Sequence, residues 1–171
     1  MSWLKILSFI VGSVFLLAGC VSRTVSKEGL GPAPSFTLPS LDGQEKSLED
    51  FKGRPILLHF WATWCPPCRE EMPVFQKFYN ELGPSGLVIL GINVGESPEV
   101  VRNFVEELNV TFPILLDEKG KIANKYGVRG LPTTFWIDPS GEIVNVTLGG
   151  PLPEEFIVEN LHKIGAGKRW H

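Results

Sequence analysis

Cys65 and Cys68, in the stretch Trp64-Cys65-Pro66-Pro67-Cys68, are the residues of this chain best spaced to do chemistry. Two thiols three positions apart can close into a disulfide and reopen within one helical turn. A nearly continuous apolar run, Pro55 to Ala62, precedes them, and a helix-like run, Arg69 to Phe75, follows. A C-x-x-C pair at a strand-to-helix junction is the redox form of the motif. A helix N-terminus lowers the pKa of a thiol placed on it, and the thiolate is the species that attacks disulfides. The implied chemistry is exchange between dithiols and disulfides. A structural disulfide closing so small a loop would staple almost nothing. A zinc site would need two further ligands, and His59, His162 and His171 have no finger-like spacing.

The elements that must position this pair can be read from periodicity. Ile56 to Ala62 reads as a central strand covered on both faces, and Cys65 to about Leu82 as a helix that Pro73 should kink. Leu87 to Val94 reads as a second buried strand. Ser97-Pro98-Glu99 opens a helix with a capping serine, proline and acid, and Val100, Val101, Phe104, Val105 and Leu108 form its apolar face. Upstream, Asp42-Gly43 turns a hairpin, and Ser47 to Asp50 starts a short helix. Downstream come a short strand near Phe112 to Leu116, a brief helix from Ile122 to Tyr126, a hairpin around Pro139-Ser140-Gly141, and a last helix from about Pro153 to Ile164. Buried parallel strands with helical crossovers, then an antiparallel pair, imply an α/β fold with a mixed sheet.

At 171 residues the chain has room for one domain and little else. The net charge is −3, and no basic patch points to nucleic acid. Lys5, the apolar run Ile6 to Leu17 and then Leu17-Ala18-Gly19-Cys20 follow the plan of a signal peptide. Without residues 1–19 the balance is fifteen basic against nineteen acidic residues, a net −4. The ending also resembles a bacterial lipobox, which implies cleavage before Cys20 and lipidation of its thiol. An uncleaved anchor is the other reading, since the seventeen residues between Lys5 and Arg23 sit at the short limit for a span. Either way the domain stands outside the cytoplasm, on the periplasmic side or the outer face of the membrane. Val21 to Pro34 reads as a linker reaching about 45 Å when extended, leaving 35–171 as the domain.

The chain resembles the thioredoxin-fold proteins, and among them the TlpA/ResA-like membrane-anchored thiol–disulfide oxidoreductases, over roughly residues 34–165. The block Phe60 to Pro73 around the cysteines carries this most specifically. Gly130-Leu131-Pro132-Thr133-Thr134 resembles the family's cis-proline loop, and Gly91 to Ser97 the segment of its active-site glutamate. The helix near 98–108 resembles that branch's insertion after the second strand. The resemblance implies disulfide reduction outside the cytoplasm, often in cytochrome c maturation, with no cofactor beyond the Cys65–Cys68 disulfide. It implies a protein disulfide as substrate, apocytochrome c among the candidates. It also implies a membrane thiol reductase as electron donor; nothing in the sequence demands a dimer.

Roles follow for individual residues. Cys65, before the helix and expected to be the more exposed thiol, is the nucleophile, and Cys68 resolves the mixed disulfide. Pro66 and Pro67 lack N–H groups, so the loop offers the Cys65 thiolate fewer donors. Trp64 shields the disulfide and forms apolar substrate surface. Pro132 faces the disulfide by resemblance, and Leu131 offers backbone groups to an extended substrate. Glu96 resembles the family carboxylate that manages the dithiol's protons, with burial expected to raise its pKa; its plainer reading is a solvated residue before a helix. His59 replaces the buried acid of many thioredoxins, six residues before the first cysteine. It is read either as a neutral proton carrier for Cys68 or as a core histidine. Arg69, Glu70 and Glu71 read as an exposed helix face.

Three other functions compete. A peroxiredoxin-type peroxidase would carry P-x-x-x-[T/S]-x-x-C, but Leu58 and Ala62 occupy the proline and hydroxyl positions. A copper-binding lipoprotein would use the thiolates as soft ligands but lacks a well-placed third. An oxidase or isomerase would use the same fold and cysteines, with direction set by potential and donor.

Overall fold

A computed structural model describes residues 29–167. The signal-like segment 1–19, Cys20 and the first eight residues of the expected linker lie outside them. Five strands form the central sheet in the order β5-β4-β3-β6-β7: β3 (Ile56–Trp61), β4 (Val88–Val94), β5 (Ile114–Asp117), β6 (Thr133–Ile137) and β7 (Ile143–Leu148). A separate hairpin, β1 (Thr37–Pro39) and β2 (Glu45–Ser47), closes around Asp42-Gly43. Strands β3, β4 and β5 run parallel, joined by the crossover helices α1 (Pro66–Leu82) and α2 (Pro98–Glu107). Strand β6 returns antiparallel to β3. This is the thioredoxin-like α/β arrangement, with the N-terminal hairpin and with α2 inserted after the second parallel strand. The short α3 (Lys121–Lys125) precedes β6, and α4 (Glu154–Lys163) ends the described fold. The start expected at Ser47 is a single 3-10 turn, Leu48–Phe51, and α1 runs through Pro73 as one element.

Strand β3 is buried along its whole length because both faces of the sheet are covered. Side chains alternate across a strand. Ile56, Leu58 and Phe60 enter the layer beneath the hairpin and α3, with Phe36, Tyr126 and Phe135. Leu57 and Trp61 enter the opposite layer, with Met72 and Phe75 of α1, Phe104 of α2, Trp136 of β6 and Leu161 of α4. His59 shares the parity of Leu57 and Trp61, so its ring also points at α1, edge-on to Phe75 with centroids 4.9 Å apart.

Residues 30–33 at the end of the expected linker are tied to the start of β7. Leu30 N–H donates to Ile143 O at 2.7 Å, Ile143 N–H to Gly31 O at 3.0 Å, and Ala33 N–H to Gly141 O at 2.9 Å. Among the described residues no helix is long and apolar enough to cross a membrane.

Candidate active site

The dithiol sits where β3 gives way to α1. Cys65 is the N-cap of α1, with extended backbone, and Pro66 opens the first turn with its φ already set for a helix. The first turn of a helix leaves N–H groups without partners. Here Pro66 and Pro67 supply none, so within the motif only Cys68 brings a first-turn N–H. Cys65 and Cys68 are joined by a disulfide, their Cα atoms 5.3 Å apart. The expected difference in exposure between them is marginal, 2% for Cys65 against 0% for Cys68, because both sulfurs pack into the layer beneath α1. Beside them Trp64 stands 69% exposed, an apolar side chain at the surface next to the disulfide.

The turn that delivers Cys65 is held by Glu96. Gly95, at φ +81°, turns the chain after β4 and folds Glu96 back over it. Thr63 N–H donates to Glu96 Oε2 at 2.7 Å, Thr63 Oγ1–H to Oε1 at 2.5 Å, and Asn93 Nδ2–H to Oε2 at 2.7 Å. With three donors on a half-buried carboxylate, Glu96 locks the segment between β3 and Cys65 to the end of β4. The burial expected for it falls on another acid.

That acid is Glu71, expected on an exposed face of α1 but buried in the fold. Arg69 and Glu70 are exposed, but Glu71 is 1% exposed. It lies three residues after Cys68 and four before Phe75, so it belongs to the inward stripe of α1 with Cys68, Met72 and Phe75. That spacing is the signal in the sequence that could have found it. Leu152 N–H donates to Glu71 Oε1 at 2.9 Å. Burial pushes its carboxyl up to about 7, against the opposing Leu152 hydrogen bond and with help from the neighbouring Glu70 charge. A carboxyl in that range exchanges a proton readily at neutral pH.

Glu71 also meets the loop expected to carry the cis-proline. The Leu131–Pro132 bond is cis, and Pro132 O accepts Gly149 N–H at 2.9 Å. A methyl group built on Gly150 would overlap the Glu71 carboxyl and come within 3.1 Å of Pro132 Cγ. Gly150 is therefore the close approach that lets residues 149–152 wrap Glu71. Leu131 is half-buried and, with Arg129, Pro132, Leu148 and Gly149, lines a shallow groove on this side.

His59 lies on the other side of Glu71. It is fully buried, its Nδ1 is 2.9 Å from Thr134 Oγ1, and its Nε2 is 3.7 Å from Glu71 Oε2. Burial pushes the imidazole down to about 3, so at pH 7 the pair is not an ion pair. Neither His59 Nε2 nor Glu71 Oε2 has a hydrogen-bond partner among the described residues. Among the described residues no group of three His, Cys, Asp or Glu is placed to hold a metal ion.

Residues 31–146 match the AhpC/TSA family. The chain is 41% identical over 132 residues to thiol-disulfide oxidoreductase ResA of Geobacillus thermodenitrificans, covering 77% of this chain and 75% of the relative. It is 38% identical to the protein of that name from Bacillus subtilis, over 80% of this chain and 75% of the relative. Among solved structures it resembles a thiol:disulfide interchange protein of the thioredoxin family from Chlorobium tepidum. There the TM-score is 0.70 at 32% identity, over 78% of this chain and 95% of that one. StoA from Bacillus subtilis aligns with a TM-score of 0.64 at 33% identity, over 75% and 96%.

Proposed function

Because the chain belongs to the AhpC/TSA family and to the ResA thiol–disulfide oxidoreductases, exchanging through the Cys65–Cys68 pair, we propose that it works outside the cytoplasm as a reductase of protein disulfides. Lipidated Cys20 holds it to the membrane once residues 1–19 are removed, with residues 35–171 as the working domain and the stretch from 21 as its tether. It takes electrons from a membrane thiol reductase, works as a monomer, and passes those electrons to an extended cysteine-containing protein; apocytochrome c is the first substrate to try.

The observation that carries the direction is the Pro66-Pro67 pair at the start of α1. A dithiol becomes a strong oxidant when its reduced, thiolate form is stabilised. Helix N-termini do this with free N–H groups, and the two prolines leave only that of Cys68 within the motif. The reduced form is left less stabilised and more willing to give its electrons away.

In the forward reaction the Cys65 thiolate attacks a substrate disulfide. A Cys65–substrate disulfide forms and one substrate thiolate leaves. Glu71 then takes the proton of Cys68, and the Cys68 thiolate attacks Cys65 Sγ. The Cys65–Cys68 bond forms, the mixed disulfide breaks, and the second substrate thiolate departs with two electrons delivered in all. Trp64, Pro66 and Pro67 supply the apolar contact, and Leu131 and Pro132 the groove for the extended substrate. Glu96 keeps the Cys65 turn in register.

The test is the midpoint potential of the pair at pH 7, by equilibration against a dithiol buffer. A value at or below about −220 mV, towards the roughly −270 mV of thioredoxin, supports a reductase. A value near about −120 mV makes the protein an oxidant and overturns the reading.

A further inference from the structure

We propose that His59 is the positioning residue for Glu71: the two side chains form one buried unit carrying a single exchangeable proton behind the dithiol, with His59 neutral in both states. The proposal rests on dithiol exchange at Cys65 and Cys68, and not on its direction.

The geometry leaves these two atoms only each other. His59 Nε2 and Glu71 Oε2 are 3.7 Å apart, both fully enclosed and both without a hydrogen-bond partner among the described residues. A buried polar atom left unpaired is costly, and a closure of about 0.7 Å would make a hydrogen bond here. Such contacts are commonly long in a resting site and tighten during reaction.

The chemistry on the far side of the ring permits both protonation states. Thr134 Oγ1, 2.9 Å from Nδ1, can donate or accept. When Glu71 is a neutral acid, its O–H donates to Nε2 and Nδ1–H donates to Thr134. When Glu71 is ionised, Nε2–H donates to the carboxylate and the Thr134 hydroxyl donates to Nδ1. Glu71 gains or loses one proton, and the imidazole answers by changing tautomer. An imidazole is the side chain able to do this at neutral charge.

The groups facing the unit come from three elements. From α1 there are Phe75 against the ring, the exposed Glu70 next to Glu71, and Cys68 one turn before it. From β6 there is Thr134. From the loop before α4 there is Leu152 N–H on the opposite oxygen, with Gly150 packed against the carboxyl. Low exposure keeps His59 uncharged, in keeping with its lowered pKa.

Two measurements test this on the intact protein. In the first, imidazole 15N shifts of His59 are followed from pH 5 to 9 in oxidised and reduced protein. The expected result is a neutral ring throughout whose tautomer changes with a midpoint near 7, and no such change in Glu71→Gln. A ring that holds one tautomer across the range, or changes it alike in Glu71→Gln, overturns the proposal, whatever the midpoint potential of the dithiol proves to be. In the second, disulfide reduction is followed against pH. His59→Leu removes a donor from the carboxylate, so the inflection moves up by about one pH unit. The rate at pH 7 then falls about fivefold, and His59→Asn, whose amide can donate, recovers most of it. An unmoved inflection in His59→Leu would make His59 a packing residue. Should that variant not fold, the tautomer measurement decides alone.

Discussion

Glu71→Gln should make the oxidised protein more stable, by an amount that depends on pH in a defined way. In the folded protein the Glu71 carboxyl is raised from 4.5 to about 7. A carboxyl raised on folding contributes fully below its unfolded pKa, and that contribution is lost as pH rises from 4.5 through 7. At roughly 1.4 kcal/mol per pH unit, the ionised carboxylate destabilises the fold by about 3 kcal/mol above pH 7. His59 works in the opposite sense. Its pKa is lowered from 6.5 to about 3, so its contribution is full above 6.5 and lost as pH falls. Between about 4.5 and 6.5 the unfolded chain carries a charged His59 and a charged Glu71, and the folded protein carries both neutral. The two states then hold the same number of protons on these residues, and the pair adds no slope. Glutamine keeps the oxygen that accepts Leu152 N–H and puts an N–H toward His59 Nε2, but it does not titrate. The variant should match the wild type near pH 4 and exceed it by about 3 kcal/mol, or roughly 10 °C in Tm, from pH 7 upwards. Urea unfolding of both oxidised proteins from pH 4 to 9 measures this. A difference between them that stays constant with pH would refute the reasoning, because it would mean that the Glu71 carboxyl titrates alike in the folded and unfolded protein.

Two further substitutions probe the supports of the site. Gly150→Ala places a methyl group where the Glu71 carboxyl lies, with Pro132 behind it; it should cost about 1–3 kcal/mol by overpacking and slow disulfide reduction, as chemical denaturation and stopped-flow would record. Glu96→Gln sets an amide N–H against one of the donors on Thr63 or Asn93. The orphaned donor should cost about 1–3 kcal/mol and reduction should slow, while unchanged thiol pKa values and rate would mean that Glu96 does not control the Cys65 turn.

Much of this protein is written in its sequence because the signals are local. The C-x-x-C pair, the apolar run of β3, and the proline opening and period of α2 each depend on neighbours within a few residues, and each stands where expected. The alternation of β3 was enough to put His59 on the same face as Leu57 and Trp61. Glu71 was not legible in the same way. Between Glu70 and Met72 it reads as one of three consecutive charged residues, and only the inward stripe from Cys68 to Phe75 hints otherwise.

What made Glu71 a buried acid was decided by parts of the chain far away in sequence. Residues 149–152 fold over it, with Leu152 N–H bound at a separation of 81 residues and Gly150 clearing the space. The pairing of β3 with β6 sets His59 opposite Thr134, and so turns Nε2 toward the carboxylate. Local sequence therefore determined the elements and the reactive pair. Burial, which sets the charge state behind that pair, depends on what covers a side chain from every direction, and the tertiary structure alone supplies that.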